Sequence, residues 1–170
     1  MKNIVLIGFM GTGKTSTGRL LASRLGCTFV DTDQKVEEAA GMTVSEIFAR
    51  HGEAHFRALE AEVVRRVARA RQTVISTGGG VVLNPANMRA LRERGAIVAL
   101  TASVDTILER TARRHARPLL EQDDRRQAVE ALLNERRDLY RQADFMVSTD
   151  GITPLQAANQ IINFIRRGGA

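Results

Sequence analysis

The run Ile4-Val5-Leu6-Ile7-Gly8-Phe9-Met10-Gly11-Thr12-Gly13-Lys14-Thr15 decides how the rest of the chain is read. Its apolar start is continuous, without alternation, which reads as a strand buried on both faces of a parallel sheet. Glycine breaks the run, and residues 8–15 then fit G-x-x-x-x-G-K-[ST] with an additional glycine at Gly11. Glycines in such a loop let the backbone wrap a phosphate so closely that its N–H groups point inward. The helix expected to open at Lys14 adds the positive end of its dipole. Lys14 would reach the β- and γ-phosphates of a nucleotide, and the Thr15 hydroxyl would be a ligand for Mg²⁺, which takes its remaining ligands from phosphates and water.

Outward from this unit, short β-rich runs alternate with helical patterns. The further strands are read at Thr28 to Val30, Thr73 to Ser76, Ala96 to Leu100 and Phe145 to Val147, each as a buried parallel strand. Helix starts are signalled between them: a capping box at Thr43-Val44-Ser45-Glu46, a cap followed by proline at Asn84-Pro85 and again at Thr153-Pro154, and Ser103 ahead of Val104 to Arg114. Five strands separated by helices imply an α/β three-layer domain with a mostly parallel sheet. Ligands of such a sheet sit beyond the carboxyl ends of its strands, so chemistry is sought in the residues just after each one.

Composition narrows the classes. The chain has 170 residues, a net charge of +6, 44% hydrophobic and 26% charged residues, the balance of one globular domain over residues 1–170. No stretch approaches the roughly 20 apolar residues needed to span a bilayer, and the start reads as a strand, not a signal peptide. The single cysteine, Cys27, cannot form an intrachain disulfide and fits a reducing, cytoplasmic setting. The arginines are spread along helices; with no Trp and one Tyr there is no aromatic platform for nucleic acid. His51 and His55 stand four apart, but Gly52 and the position of Glu53 do not make a zinc helix.

An acceptor for the phosphoryl group has to be read from the later strand ends. Asp31-Thr32-Asp33 follows the second strand. In an extended segment its two carboxylates would point the same way, one working through water on the metal and one facing an acceptor hydroxyl; the alternative is that one of them caps the next helix. Thr77-Gly78-Gly79-Gly80 follows the third strand and offers successive unhindered backbone N–H groups to a ligand. Arg57 and Arg136, in helical segments, could each grip a carboxylate or phosphate with paired hydrogen bonds. Arg113-Arg114-His115-Ala116-Arg117-Pro118-Leu119-Leu120 is a basic segment between two helices, expected to act as a lid over about residues 112–124 that excludes water from the transferring group. A nucleotide-dependent switch would carry D-x-x-G and N-K-x-D, and neither string occurs.

Gly11-Thr12-Gly13-Lys14-Thr15, Asp31-Thr32-Asp33, Phe56-Arg57, Thr77-Gly78-Gly79-Gly80, Arg117-Pro118-Leu119-Leu120 and Arg136 ahead of Leu139-Tyr140 together resemble the shikimate kinases, in order and spacing over nearly the whole chain. The resemblance implies transfer of the γ-phosphoryl of ATP to the 3-hydroxyl of shikimate, in the route to chorismate and the aromatic amino acids. It implies the P-loop kinase fold of nucleoside monophosphate kinase type, with strand order 2-3-1-4-5, and a monomer without nucleic-acid or membrane partners. Carried over by residue, Gly11, Thr12, Gly13, Lys14, Thr15 and Ser16 hold the ATP phosphates, and Thr15 with Asp31 binds Mg²⁺. Asp33 contacts the attacking hydroxyl, in the acceptor-binding region of about residues 32–60. Arg57 and Arg136 clamp the carboxylate, and Gly78, Gly79 and Gly80 close the pocket. Arg117 touches the phosphates from the lid, Arg110 covers the adenine, and Lys14, Asp33 and Arg117 form the catalytic set. The loop from Ser148 to Pro154 departs from the pattern in lacking an arginine that some members place over the adenine. Another small-molecule kinase of this class, such as a gluconate kinase, would share the ATP half but accounts less well for the acidic pair, the glycine triplet and Arg117-Pro118-Leu119-Leu120.

Overall fold

A computed structural model describes residues 1–112 and 122–169. Its strands are β1 (Asn3–Ile7), β2 (Thr28–Asp31), β3 (Thr73–Ser76), β4 (Gly95–Thr101) and β5 (Phe145–Ser148), all parallel, in the order β2-β3-β1-β4-β5. The expected strand order and the helix-flanked parallel sheet are therefore both present. Pairing of Asp31 and of Leu6 with Ser76, and of Thr101 with Ser148, brings the carboxyl ends of the strands to one edge.

The helices are α1 (Lys14–Leu25), α2 (Thr32–Ala40), α3 (Val44–His51), α4 (Glu53–Val67), α5 (Pro85–Arg94), α6 (Val104–Ala112), α7 (Gln122–Tyr140) and α8 (Pro154–Phe164). Because successive strand residues face opposite ways, β1 feeds two cores at once. Ile4 and Leu6 pack with Leu21, Val98, Ala158 and Ile161 on the α1/α8 side, while Val5 and Ile7 pack with Val64, Leu91, Ile107 and Tyr140 on the other. That explains why β1, β3 and β4 read as continuous apolar runs. The expectation that every strand is buried does not hold for β2 and β5, which are edge strands with partly exposed residues. A third core of Val36, Ile47, Phe56 and Val63 ties α2, α3 and α4 together beside the sheet edge.

The caps are where the sequence puts them, with one change. Asn84 and Thr153 cap α5 and α8 ahead of proline, and Thr153 with Gln156 makes a full reciprocal box. At α3 only half of the expected box forms: Thr43 accepts the Glu46 N–H, but Glu46 binds the Thr43 hydroxyl instead of its backbone N–H.

Candidate active site

The loop between β1 and α1 is held open by its own backbone. Gly11 and Gly13 have φ of 77° and 91°, a left-handed conformation that favours glycine, and a Cβ on Gly11 would press on Thr111 of α6 at 3.0 Å. Gly13 starts α1 without any side-chain cap, and no acidic residue stands in the first turn, which leaves the leading N–H groups of α1 and the positive end of its dipole for an anion. Thr12 is buried and donates to the Phe9 carbonyl at 2.8 Å, bracing the loop, and Ser16 is exposed on the opening turn. Lys14 folds back over the loop and donates to the carbonyls of Gly8 (2.6 Å) and Phe9 (2.9 Å). Burial pulls its pKa down to about 8, against the opposing pull of the Asp33 and Asp31 carboxylates.

Thr15 donates to Asp31 Oδ2 at 3.1 Å, so the two residues expected at the metal are neighbours. Asp31 also caps α2 by accepting the Gln34 N–H on its other oxygen. Contrary to the expected extended segment, the cap turns the chain at Asp31, and Asp33 lies in the first turn of α2. Capping and metal-side placement, offered above as alternatives, are combined in one residue. Thr32 between them is fully buried and accepts the Gly78 N–H at 3.2 Å, joining this turn to the loop after β3.

Asp33 Oδ1 is enclosed and has no hydrogen-bond partner among the described residues. Burial raises its pKa, helped by the charge of Asp31 and opposed by Lys14. Two of the three glycines beside it, Gly78 and Gly80, leave no room for a side chain. A Cβ on Gly78 would sit 2.6 Å from Asp33 Oδ1 and 3.2 Å from Glu60 Oε2, and one on Gly80 would collide with the Arg57 guanidinium. None of the three has a left-handed φ. The expected row of free N–H groups is shortened by one, since Gly78 donates to Thr32; those of Gly79 and Gly80 have no partner among the described residues.

Arg57 donates to Glu60 at 3.0 Å and to Glu53 at 3.4 Å on the same helix, and lies 5.2 Å from the Phe56 ring centroid. Its Nε and that of Arg136 are buried without a partner among the described residues. Arg136, on α7, lies 5.9 Å above the ring of Phe9 in the phosphate loop. A point one bond from Gly79 Cα, where a Cβ would stand, is 3.6 Å from each of Arg136 Nη1, Gly8 O and Met10 N. Phosphate loop, glycine turn and arginines thus meet at one place.

Two contributors escaped the sequence reading. Glu60 is 1% exposed, and burial raises its pKa while Arg57 holds it back. Its signal was available: Phe56, Glu60, Val63 and Val64 are the buried stripe of α4, and a carboxylate in such a stripe needs a partner. Tyr140, noticed only as part of a motif, donates to the Gly79 carbonyl at 2.6 Å. Arg110 lies away from the acceptor side: it donates to Gly11 O (3.1 Å), Thr149 Oγ1 (2.9 Å) and Thr149 O (2.7 Å), tying the phosphate loop to the loop after β5. Arg117 and residues 113–121 of the lid expected over about 112–124 lie outside the described residues.

The arrangement can hold a chain of phosphates at the β1–α1 loop, a cation beside Thr15 and Asp31, and a hydroxylated carboxylate between Asp33 and the two arginines. Among the described residues no group of three or more acids, histidines or cysteines could chelate a metal alone. The Thr15–Asp31 pair therefore fits a cation that keeps water and phosphate ligands, as Mg²⁺ does. No helix among the described residues is long and apolar enough to cross a membrane.

Comparison with known proteins gives a consistent result. A family model described as shikimate kinase matches residues 10–166. The shikimate kinase of Pelotomaculum thermopropionicum is 50% identical over 166 residues, covering 98% of this chain and 96% of that protein, and that of Thermodesulfovibrio yellowstonii is 47% identical over 167 residues, with the same coverage. Among solved structures, shikimate kinase from Acinetobacter baumannii in complex with shikimate superposes with a TM-score of 0.92 at 36% identity, over 99% of this chain and 94% of that one. Shikimate kinase from Aquifex aeolicus gives a TM-score of 0.82 at 33% identity, over 98% of this chain and 97% of that one.

Proposed function

Because the chain belongs to the shikimate kinase family, we infer that its site transfers the γ-phosphoryl group of ATP to the 3-hydroxyl of shikimate, giving shikimate 3-phosphate and ADP. The observation that carries this reading is the meeting at Gly79: one position lies 3.6 Å from the phosphate loop and 3.6 Å from Arg136. A triphosphate tail in the loop and a carboxylate on the arginines would then face each other across a single cavity.

Each role follows from the chemistry of the residue. Gly11, Thr12, Gly13, Lys14, Thr15 and Ser16 hold the phosphates, through main-chain N–H groups and through the Lys14 ammonium once phosphate oxygens replace its two carbonyl partners. Thr15 and Asp31 are the residues that would hold Mg²⁺, which when bound offsets charge on the phosphate oxygens. Arg57 and Arg136 take the shikimate carboxylate, each with an unspent buried Nε, and Gly79 and Gly80 offer N–H groups beside them. Asp33 accepts a hydrogen bond from the 3-hydroxyl. As that oxygen bonds to the γ-phosphorus, the bond from phosphorus to the β-phosphate oxygen breaks, ADP leaves, and the hydroxyl proton passes to Asp33. Arg110, which bonds to Gly11 and Thr149 beside the phosphate loop, would cover the adenine with its planar face, and Arg117 belongs, by its segment, with the phosphates. With a single cysteine, and with ATP and a hydroxylated ring carboxylate as substrates, the chain is read as acting in the cytoplasm, and from the family resemblance as a monomer.

A coupled assay of ADP release with shikimate, gluconate, a nucleoside monophosphate or no acceptor tests this directly. Turnover is expected with shikimate far above the other three. Equal turnover with gluconate would move the acceptor to another polyol acid, and ADP release without any acceptor would remove the acceptor site altogether.

A further inference from the structure

Tyr140 is the chain's only tyrosine and closes α7 with its ring in the main core, where it is 4% exposed. Its hydroxyl reaches out of that core to donate to the Gly79 carbonyl at 2.6 Å, across 61 residues of sequence. Gly79 is the middle of a turn with no side chain of its own to anchor it. Each glycine nevertheless borders a different functional group: Gly78 borders Asp33 and Glu60, Gly79 borders Arg136 and the phosphate loop, and Gly80 borders the Arg57 guanidinium. Three successive glycines have more backbone freedom than any other tripeptide, so the turn's fixed shape must come from outside it. Thr32 fixes its start through the Gly78 N–H, and the N–H of Val81 closes on Gly78 O. Only the Tyr140 hydroxyl holds the peptide between Gly79 and Gly80 among the described residues.

We propose that Tyr140 is a positioning residue for the acceptor: through the Gly79 carbonyl it sets the turn against which Arg57 and Arg136 grip the carboxylate. Arg136 and Tyr140 are four apart on α7 and share a face of it, so a single helix places one arginine of the clamp and the turn beside it. Burial raises the tyrosine's pKa, which keeps the hydroxyl a neutral donor across the range in which a cytoplasmic enzyme works. The inference rests on shikimate being the acceptor.

The test is Tyr140→Phe, which keeps the ring in the core and removes the hydroxyl, and with it both the donation to Gly79 and the contact with Arg136. The expected result is a rise of about tenfold in KM for shikimate, with KM for ATP within about twofold of the parent value. A residue that merely supports the core would move both constants or neither, and either outcome overturns the proposal. Wild-type protein that does not phosphorylate shikimate would instead overturn the functional reading on which it rests. Should Tyr140→Phe not fold, replacing tyrosine globally by 3-fluorotyrosine gives one ¹⁹F resonance, because Tyr140 is alone. That resonance is expected to shift on addition of shikimate and to stay in place with an ATP analogue; no response to shikimate overturns the proposal.

Discussion

The phosphate end and the acceptor end of this site are built in opposite ways. The first is made almost wholly from one continuous loop, whose glycines, helix start and lysine would meet a phosphate through local backbone geometry. The second takes Asp33 from α2, Arg57 and Glu60 from α4, a glycine turn after β3, and Arg136 and Tyr140 from α7. Its parts are held by long-range contacts, Thr32 to Gly78 and Tyr140 to Gly79, together with the local pair of Arg57 and Glu60 on α4 against which Gly78 and Gly80 pack. A loop of the first kind serves any nucleotide phosphate, whereas specificity has to come from the assembled kind.

The contrast predicts that damage at the acceptor end leaves nucleotide binding intact. The largest effect is expected for Asp33→Asn, which keeps the shape but cannot take the hydroxyl proton: kcat falls roughly 10²- to 10⁴-fold while affinity for ATP, measured by equilibrium titration, stays within about twofold. Unchanged kcat would leave Asp33 an orienting group only. Next come Arg57→Ala and Arg136→Ala, each losing a charge-assisted contact of about 1.5 to 3 kcal/mol, or roughly ten- to a hundredfold in KM for shikimate. Parallel losses for ATP would show that the two ends are not separable.

The same contrast explains what could be read from the sequence. The strands themselves and the phosphate loop were legible because both depend on local patterns, continuous apolar runs and glycines at fixed offsets from a lysine, whereas the strand order came only with the family resemblance. The edge position of β2 and β5 was not, since an apolar run does not record how many neighbours the strand has. Asp31 and Asp33 were recognised, but as carboxylates on an extended strand; the cap that turns the chain between them depends on which of two permitted conformations the tertiary structure selects. Gly78, Gly79 and Gly80 were expected to present N–H groups, while for Gly78 and Gly80 the stronger reason is steric and involves Asp33, Glu60 and Arg57, far away in sequence. Glu60 carried a sign in its helical spacing, as an acid in an apolar stripe; Tyr140 carried none, because a buried tyrosine is ordinary until its hydroxyl's partner is known.

Acidity should separate the two ends in opposite directions. Lys14 must be an ammonium to meet phosphate, and in the free protein burial brings its pKa to about 8. As pH rises through that value the charge is lost, so kcat/KM for ATP is expected to fall about tenfold per pH unit beyond it. The profile of kcat should hold to higher pH, because bound phosphate favours the charged lysine. Asp33 must be ionised to take a proton, and burial raises its pKa. Activity is therefore expected to fail on the acid side earlier than an ordinary carboxylate would allow, and Asp33→Asn should abolish that acid limb and move the alkaline fall for ATP to lower pH, because the Asp33 charge helps to hold the Lys14 pKa up. An alkaline fall in kcat identical to that in kcat/KM would mean that bound nucleotide does not act on Lys14.

The smallest expected effect is the one that tests how far the acceptor end works as a network. Glu60 Oε1 accepts from Arg57 at 3.0 Å, while Oε2 is buried with no partner among the described residues and faces Gly78. Glu60→Gln keeps the volume and one acceptor but removes the charge that holds the guanidinium. Exchanging a charge-assisted hydrogen bond for a neutral one costs about 1 kcal/mol, so KM for shikimate should rise roughly fivefold, less than for Arg57→Ala. If Glu60 acts only through Arg57, the double variant Glu60→Gln/Arg57→Ala should be no worse than Arg57→Ala alone, since the carboxylate has nothing left to orient. Additive losses would give Glu60 a contact with the acceptor of its own, through the oxygen that faces Gly78. Either outcome leaves ATP affinity unmoved if the continuous loop is as self-sufficient as its backbone geometry implies; a matching loss there would show that the acid cluster reaches the phosphate end through Lys14.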